Sequence, residues 1–95
     1  MTANIDDVFR DNLISILTDE LKVLRAKVDI SQQDLAEKIG ISRQTYGAIE
    51  SKKQKMGWDT FLALIFLFDK TEGTSKMIRQ IGAYPPELET YLELK

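Results

Sequence analysis

Leu13, Leu17, Leu21, Leu24 and Val28 recur at intervals of four and three along the first third of the chain. Residues so spaced line one face of a helix, which predicts an amphipathic first helix that ends before Ser31. A coiled-coil seam has the same spacing, but too few heptads are present for one, so packing into a core is the expected use. Upstream, Met1 to Asp11 is polar and acidic apart from Ile5, Val8 and Phe9. Asn4 ahead of Ile5, Asp6 and Asp7 suits a helix start, giving either a short separate helix or an extension of the first.

The periodicity resumes at Ser31. Ser31 suits a helix N-cap, Leu35, Ala36 and Ile39 then share a face, and Gly40 follows where a helix end favours a left-handed residue. A helix over about 32–39 is predicted. Ser42 offers a second cap, so the next helix, about 43–51, starts after a turn of three or four residues. In it Tyr46, Ile49 and Thr45 face back toward Leu35 and Ile39, while Arg43, Gln44, Gly47 and Ala48 are left outward. The run WDTFLALIFLF, Trp58 to Phe68, is too short to cross a bilayer, which takes ~20 apolar residues. It predicts a fourth helix, apolar nearly all round and hence covered on more than one side. A fifth helix is expected over 71–81, using Met77, Ile78 and Ile81 and stopped by Gly82. Pro85 and Pro86 break the pattern and start a short last helix over about 86–94. Tyr84, Leu88, Tyr91 and Leu92, with Val8 and Phe9, have two equally weighted uses: a homodimer interface, or completion of the monomer core.

These elements make an all-α chain. The expectation is one domain over 1–95, with a compact five-helix core at about 13–82, a helix-turn-helix unit at 31–53, short helical extensions at both ends, and a tail at 83–95 available for dimerisation. The 95 residues include no cysteine and no histidine. Disulfides, thiolate metal sites, common zinc sites and triads built on His or Cys are therefore excluded. No Gly-rich phosphate loop or paired-carboxylate motif stands out, so neither an enzyme, a cofactor, a metal site nor a small-molecule substrate is expected. The start of the chain lacks the basic and apolar regions of a signal peptide, and a cytoplasmic location without membrane attachment is expected. The total charge of −2 conceals an uneven distribution: 1–21 is net −4, 22–55 is net +4 and 56–95 is net −2. The positive third coincides with the helix-turn-helix, an electrostatic footprint suited to nucleic acid.

The outward side of the second helix of that unit carries the candidate chemistry. Arg pairs bidentately with guanine O6 and N7, Gln with adenine N6 and N7, and the small Gly47 and Ala48 leave a slim surface that fits a major groove. Arg43 or Gln44 taken alone is more readily read as ordinary solvated helix surface than as a base contact. The following loop, Lys52-Lys53-Gln54-Lys55, suits phosphate contacts, which add affinity without sequence information.

From about Leu21 to Asp69, the chain resembles the phage-repressor and Cro-like, or XRE, family of bacterial regulators. The resemblance rests on the spacing of cap, alanine, glycine, cap and closing Ile-Glu within SQQDLAEKIGISRQTYGAIESKK. It implies that Gln32 touches phosphate, that Arg43, Gln44 and Ala48 face bases, and that Ser42 and Thr45 lie near phosphate or a base edge. It also implies a structural, largely buried salt bridge between Arg25 and Glu50. Met56-Gly57-Trp58 departs from the family, where a basic residue or proline is common, so no backbone-contacting residue is expected beyond Lys55. Lys53 and Lys55 complete the expected phosphate-positioning set.

The expected function is sequence-specific binding of double-stranded DNA by a transcriptional repressor, acting as a homodimer on a roughly palindromic operator. Two alternatives remain: a DNA-binding antitoxin or restriction-modification controller, and a module that binds a protein partner on a helix-turn-helix scaffold.

Overall fold

The computed structural model describes residues 5–94. The expected helix start at Asn4 lies outside them. The cap falls on Asp6, whose carboxylate accepts the Phe9 N–H at 2.8 Å. From there α1 (Asp7–Val28) runs without interruption, so the acidic segment is an extension of the first helix. Leu13, Leu17, Leu21 and Leu24 of the heptad-like series are buried, as is Ile14, whereas Val28 is half-buried at the helix end. Each leucine so buried contributes ~1.5–3 kcal/mol relative to exposure, which is what holds a long helix against the rest of the chain.

The remaining helices are α2 (Gln32–Ile39), α3 (Arg43–Glu50), α4 (Trp58–Lys70), α5 (Ser75–Gln80) and α6 (Pro86–Tyr91). No strand occurs among the described residues. Helix α1 packs on α3 and α4, α2 packs on α3 and α4, and α5 lies against α4. Helix α4 is therefore the shared wall. Phe61, Leu64, Ile65 and Phe68 are its buried residues, and α1, α2 and α5 cover it on more than one side as expected, though not all round. Phe66 stays 62% exposed, with the Lys70 ammonium 5.1 Å from its ring centre.

The fifth helix is shorter than the 71–81 expected. Thr71 takes extended backbone and Gly73 has φ +97°, so the chain turns before α5 begins. Thr74 is fully buried, and its hydroxyl donates to the Phe68 carbonyl at 2.8 Å and bridges to that of Thr71. That hydroxyl gives the Phe68 carbonyl, at the end of α4, a shorter partner than the Thr71 N–H, which reaches it at 3.3 Å. Gly82, at φ +86°, ends α5 as expected.

Helix α6 stops at Tyr91 instead of continuing to Leu94. Leu88 is wholly buried in the common core, and so is Ala83 before it. Of the two uses weighed for the tail, Leu88 takes the second and completes the monomer. Tyr84 is half-buried with the Arg79 guanidinium 4.6 Å from its ring centre. The Tyr91 hydroxyl accepts a hydrogen bond from Arg10 at 3.1 Å, joining α6 to the start of α1. Phe9 is half-buried; Val8, Leu92 and Leu94 remain exposed.

Candidate nucleic-acid interface

The α2–α3 unit is assembled by short-range hydrogen bonds. Ser31 Oγ accepts the Asp34 N–H at 3.0 Å, and Ser42 Oγ accepts the Thr45 N–H at 3.0 Å. Each satisfies one of the early N–H groups that a helix cannot pair internally. Between the caps, Gly40 adopts φ +80°, the left-handed backbone that glycine takes without steric cost, and the Ile41 N–H returns to the Ala36 carbonyl at 3.0 Å. Helix α2 thus ends at Ile39 and α3 begins at Arg43.

A buried polar network then fixes α3 to α1. Arg25 grips Glu50 through two nitrogens, Nε to Oε2 at 2.9 Å and Nη2 to Oε1 at 2.8 Å. Tyr46 donates its hydroxyl to Oε2 at 2.7 Å, and Gln32 donates its amide to Oε1 at 3.0 Å. Arg25 Nη1 also reaches the Ile30 carbonyl at 3.2 Å. The Glu50 side chain is 2% exposed, so an unpartnered charge there would be costly. Burial pushes its carboxyl up, but the hydrogen bonds from Arg25, Tyr46 and Gln32 outweigh this and hold it down to about 2. The Tyr46 phenol is pushed well above its ordinary range, by burial first and then by the bond to Glu50. Charge and hydrogen bonds together make the α1–α3 joint specific in geometry, not merely apolar.

Gln32, assigned to phosphate on the resemblance, is accordingly half-buried and uses one amide N–H within the protein. Its second amide hydrogen remains as a donor. The amide lies over Gly47: a Cβ placed there would sit 3.6 Å from Gln32 Oε1, an ordinary contact. Gly47 and Ala48 are therefore half-buried and not fully outward. Part of the cover on Ala48 is backbone, since its carbonyl accepts the N–H groups of Lys53 at 2.9 Å and Gln54 at 3.1 Å. Arg43 and Gln44 are exposed on the first turn of α3. The Ser42 and Thr45 hydroxyls bond each other at 3.0 Å, leaving one O–H of the two to donate outward.

The basic loop behaves differently from its sequence. Lys55 Nζ lies 2.7 Å from Asp11, and Lys52 Nζ lies 2.6 Å from Asp19. Lys53 has no ion-pair partner among the described residues. Neither acid was a candidate in the sequence, because no spacing rule connects residues so far apart along the chain. The Gln32 and Tyr46 contacts to Glu50 were missed for a related reason: both side chains have ordinary uses on a helix, as solvated amide and as core aromatic. Met56-Gly57-Trp58, where the family pattern lapses, is spent on packing. Met56 is buried, Trp58 stacks on Phe61 with ring centres 4.8 Å apart, and the Arg10 guanidinium lies 5.2 Å from the Trp58 ring centre. Among the described residues, no helix is long and apolar enough to cross a membrane.

Two capped helices crossing at a glycine turn, the second locked to the first helix of the domain and showing an exposed Arg-Gln pair, define a helix-turn-helix protein. A helix-turn-helix family model matches residues 21–56. An uncharacterized HTH-type transcriptional regulator of Methanocaldococcus jannaschii is 42% identical over 57 residues, spanning 60% of this chain and 80% of that one. The chain belongs to the XRE-type helix-turn-helix family. No solved structure matches it significantly.

Proposed function

We propose that the protein is a transcriptional regulator that binds double-stranded DNA in a sequence-specific manner, in the cytoplasm, as a homodimeric repressor on a roughly palindromic operator. The observation that carries this reading is the placement of Arg43 and Gln44, exposed at the start of a helix whose far end is tied to α1 and α2 by three hydrogen bonds to Glu50, two from Arg25 and one from Gln32. A recognition helix must be rigidly held for a bidentate side chain to tell one base from another, a discrimination worth ~1–3 kcal/mol per good pair. In this reading Arg43 and Gln44 read bases and Ala48 allows close approach. Gln32, Thr45 with Ser42, Lys53 and Lys55 position the chain on phosphates.

One such helix reads only a few base pairs, which is the physical reason to pair two of them, ~34 Å apart on successive turns of the duplex. Beside Val23 and Phe66, the exposed large apolar side chains are Val8, Leu92 and Leu94, and these three are carried on the two chain regions that the Arg10–Tyr91 bond brings together, which is why the pairing is placed there. Because Leu88 is core, deleting the tail would unfold the domain as well as remove an interface. Val8→Ser with Leu92→Ser and Leu94→Ser is the cleaner disruption, and light scattering of this variant should show monomers. The same exposed residues also favour the second reading, a module that binds a heterologous protein.

The deciding experiment is selection from a randomised duplex pool at two salt concentrations, with an Arg43→Ala, Gln44→Ala variant alongside. Enrichment of a palindrome by the native protein but not by the variant is the expected result. Absence of enrichment from either protein, even at low salt, overturns DNA readout and leaves the protein-partner reading in front.

A further inference from the structure

We propose that Asp11 and Asp19 are built-in competitors of the DNA backbone, holding Lys55 and Lys52 in ion pairs that every duplex must displace. This rests on the DNA-binding reading above and adds two affinity-setting residues to it. The acids come from α1, outside the helix-turn-helix, where Asp11, Ser15 and Asp19 are four residues apart and therefore line one edge of the helix. That edge faces the loop after α3 across a cleft of about 260 Å³, also lined by Met56 and Gln54. The two ion pairs, at 2.7 and 2.6 Å, span it.

Both pairs are suited to exchange. All four side chains are more than half exposed, so water and salt weaken each pair and a phosphate can replace the carboxylate at little cost. Among the described residues, Lys53 is the one lysine of the loop's three that meets a phosphate without first giving up an ion-pair partner. Phosphate contacts carry no sequence information, so the acids lower affinity for every duplex alike. They limit how much of the protein is held on random DNA, where the backbone supplies nearly all of the binding. The uneven charge of the chain thereby acquires a structural meaning: part of the acidic first segment lies against the basic unit and offsets it locally.

The test uses Asp11→Asn with Asp19→Asn in the full chain, and a charge-matched control, Glu72→Gln with Glu93→Gln, two exposed acids in the α4–α5 turn and after α6. Affinity for a selected duplex and for one of random sequence is measured across a salt series, and circular dichroism confirms that each variant is folded. The expected result is roughly 3–10-fold tighter binding of both duplexes by the double Asn variant. The logarithmic salt slope should steepen by up to about 0.9 for each phosphate contact released, and the control should change far less. Lys55→Ala should then cost more in the Asp11→Asn background than in the native one. Equal gains in variant and control overturn the inference, leaving only an effect of net charge. Weaker binding by the double Asn variant overturns it too, since the pairs would then be aiming the lysines at phosphates. If the native protein binds no duplex even at low salt, the DNA-binding reading fails and this inference with it; native binding that the substitutions leave unchanged sinks the inference alone.

Discussion

The molecule uses opposite charges in two regions in two different ways. At the α1–α3 joint, Glu50 is closed off from water and Arg25 largely so, with side chains 2% and 20% exposed, and the two carboxylate oxygens take four hydrogen bonds from Arg25, Tyr46 and Gln32. Along the neighbouring loop, Lys52–Asp19 and Lys55–Asp11 are equally short but stand in solvent, with no further partner holding them among the described residues. Distance is nearly the same in both places, and burial is not. A buried pair stripped of one member leaves a charge without solvation, whereas an exposed pair so treated is rehydrated at once. The first region can therefore act as a fixed joint and the second as an exchangeable contact.

The sharpest break of that contrast is Glu50→Ala, which leaves the Arg25 guanidinium and two other donors without their acceptor. It should lower stability by ~3–5 kcal/mol, or a fall in Tm of more than about 10 °C, in thermal or denaturant unfolding. A drop of only a degree or two would place Glu50 in the same class as the surface pairs.

Acid should act on the joint in the same direction. Glu50 has its pKa depressed from 4.5 to about 2 in the folded chain. Its contribution is thus fully present above about 4.5 and is lost as pH falls from there toward 2, because the unfolded chain takes up the proton first. Unfolding curves collected through that window should show stability falling with pH, and Glu50→Gln should remove this portion of the slope.

Tyr46→Phe is a smaller perturbation, deleting one donor while keeping the ring in the core. The expected cost is ~1–2 kcal/mol, the usual penalty for leaving a buried acceptor one hydrogen bond short. A neutral outcome would mean that water or a shifted Gln32 replaces the hydroxyl.

At the other end of the scale, Asp11→Asn or Asp19→Asn should move Tm by no more than about 3 °C, and added salt should shrink even that. A larger loss would show that the loop pairs hold the fold together and are not free to exchange.

How far each region could be read in advance follows the same division. The α2–α3 unit was legible to within a residue, because Ser31, Gly40 and Ser42 act through hydrogen bonds and backbone angles within a few residues of themselves. The Arg25–Glu50 pair was legible only through the family resemblance, and its completion by Tyr46 and Gln32 was not legible at all. Helix α5 was expected four residues too early. The reason is Thr74, which reads as an ordinary helix residue until its buried hydroxyl is seen capping α4. The end of α4 and the start of α5 compete for the same residues, and tertiary packing decides between them.

From the sequence alone came the helical periods, the two serine caps, the glycine stops and the exposed Arg43-Gln44 turn, since each depends on neighbours three or four residues away. Tertiary structure alone decided that Leu88 closes the core, that Phe66 stays in solvent, that Gln32 shares its amide with Glu50, and that Asp11 and Asp19 occupy two of the loop lysines. These are meetings between segments far apart along the chain, and which side chains meet is set by how the helices stack, a property no local pattern encodes.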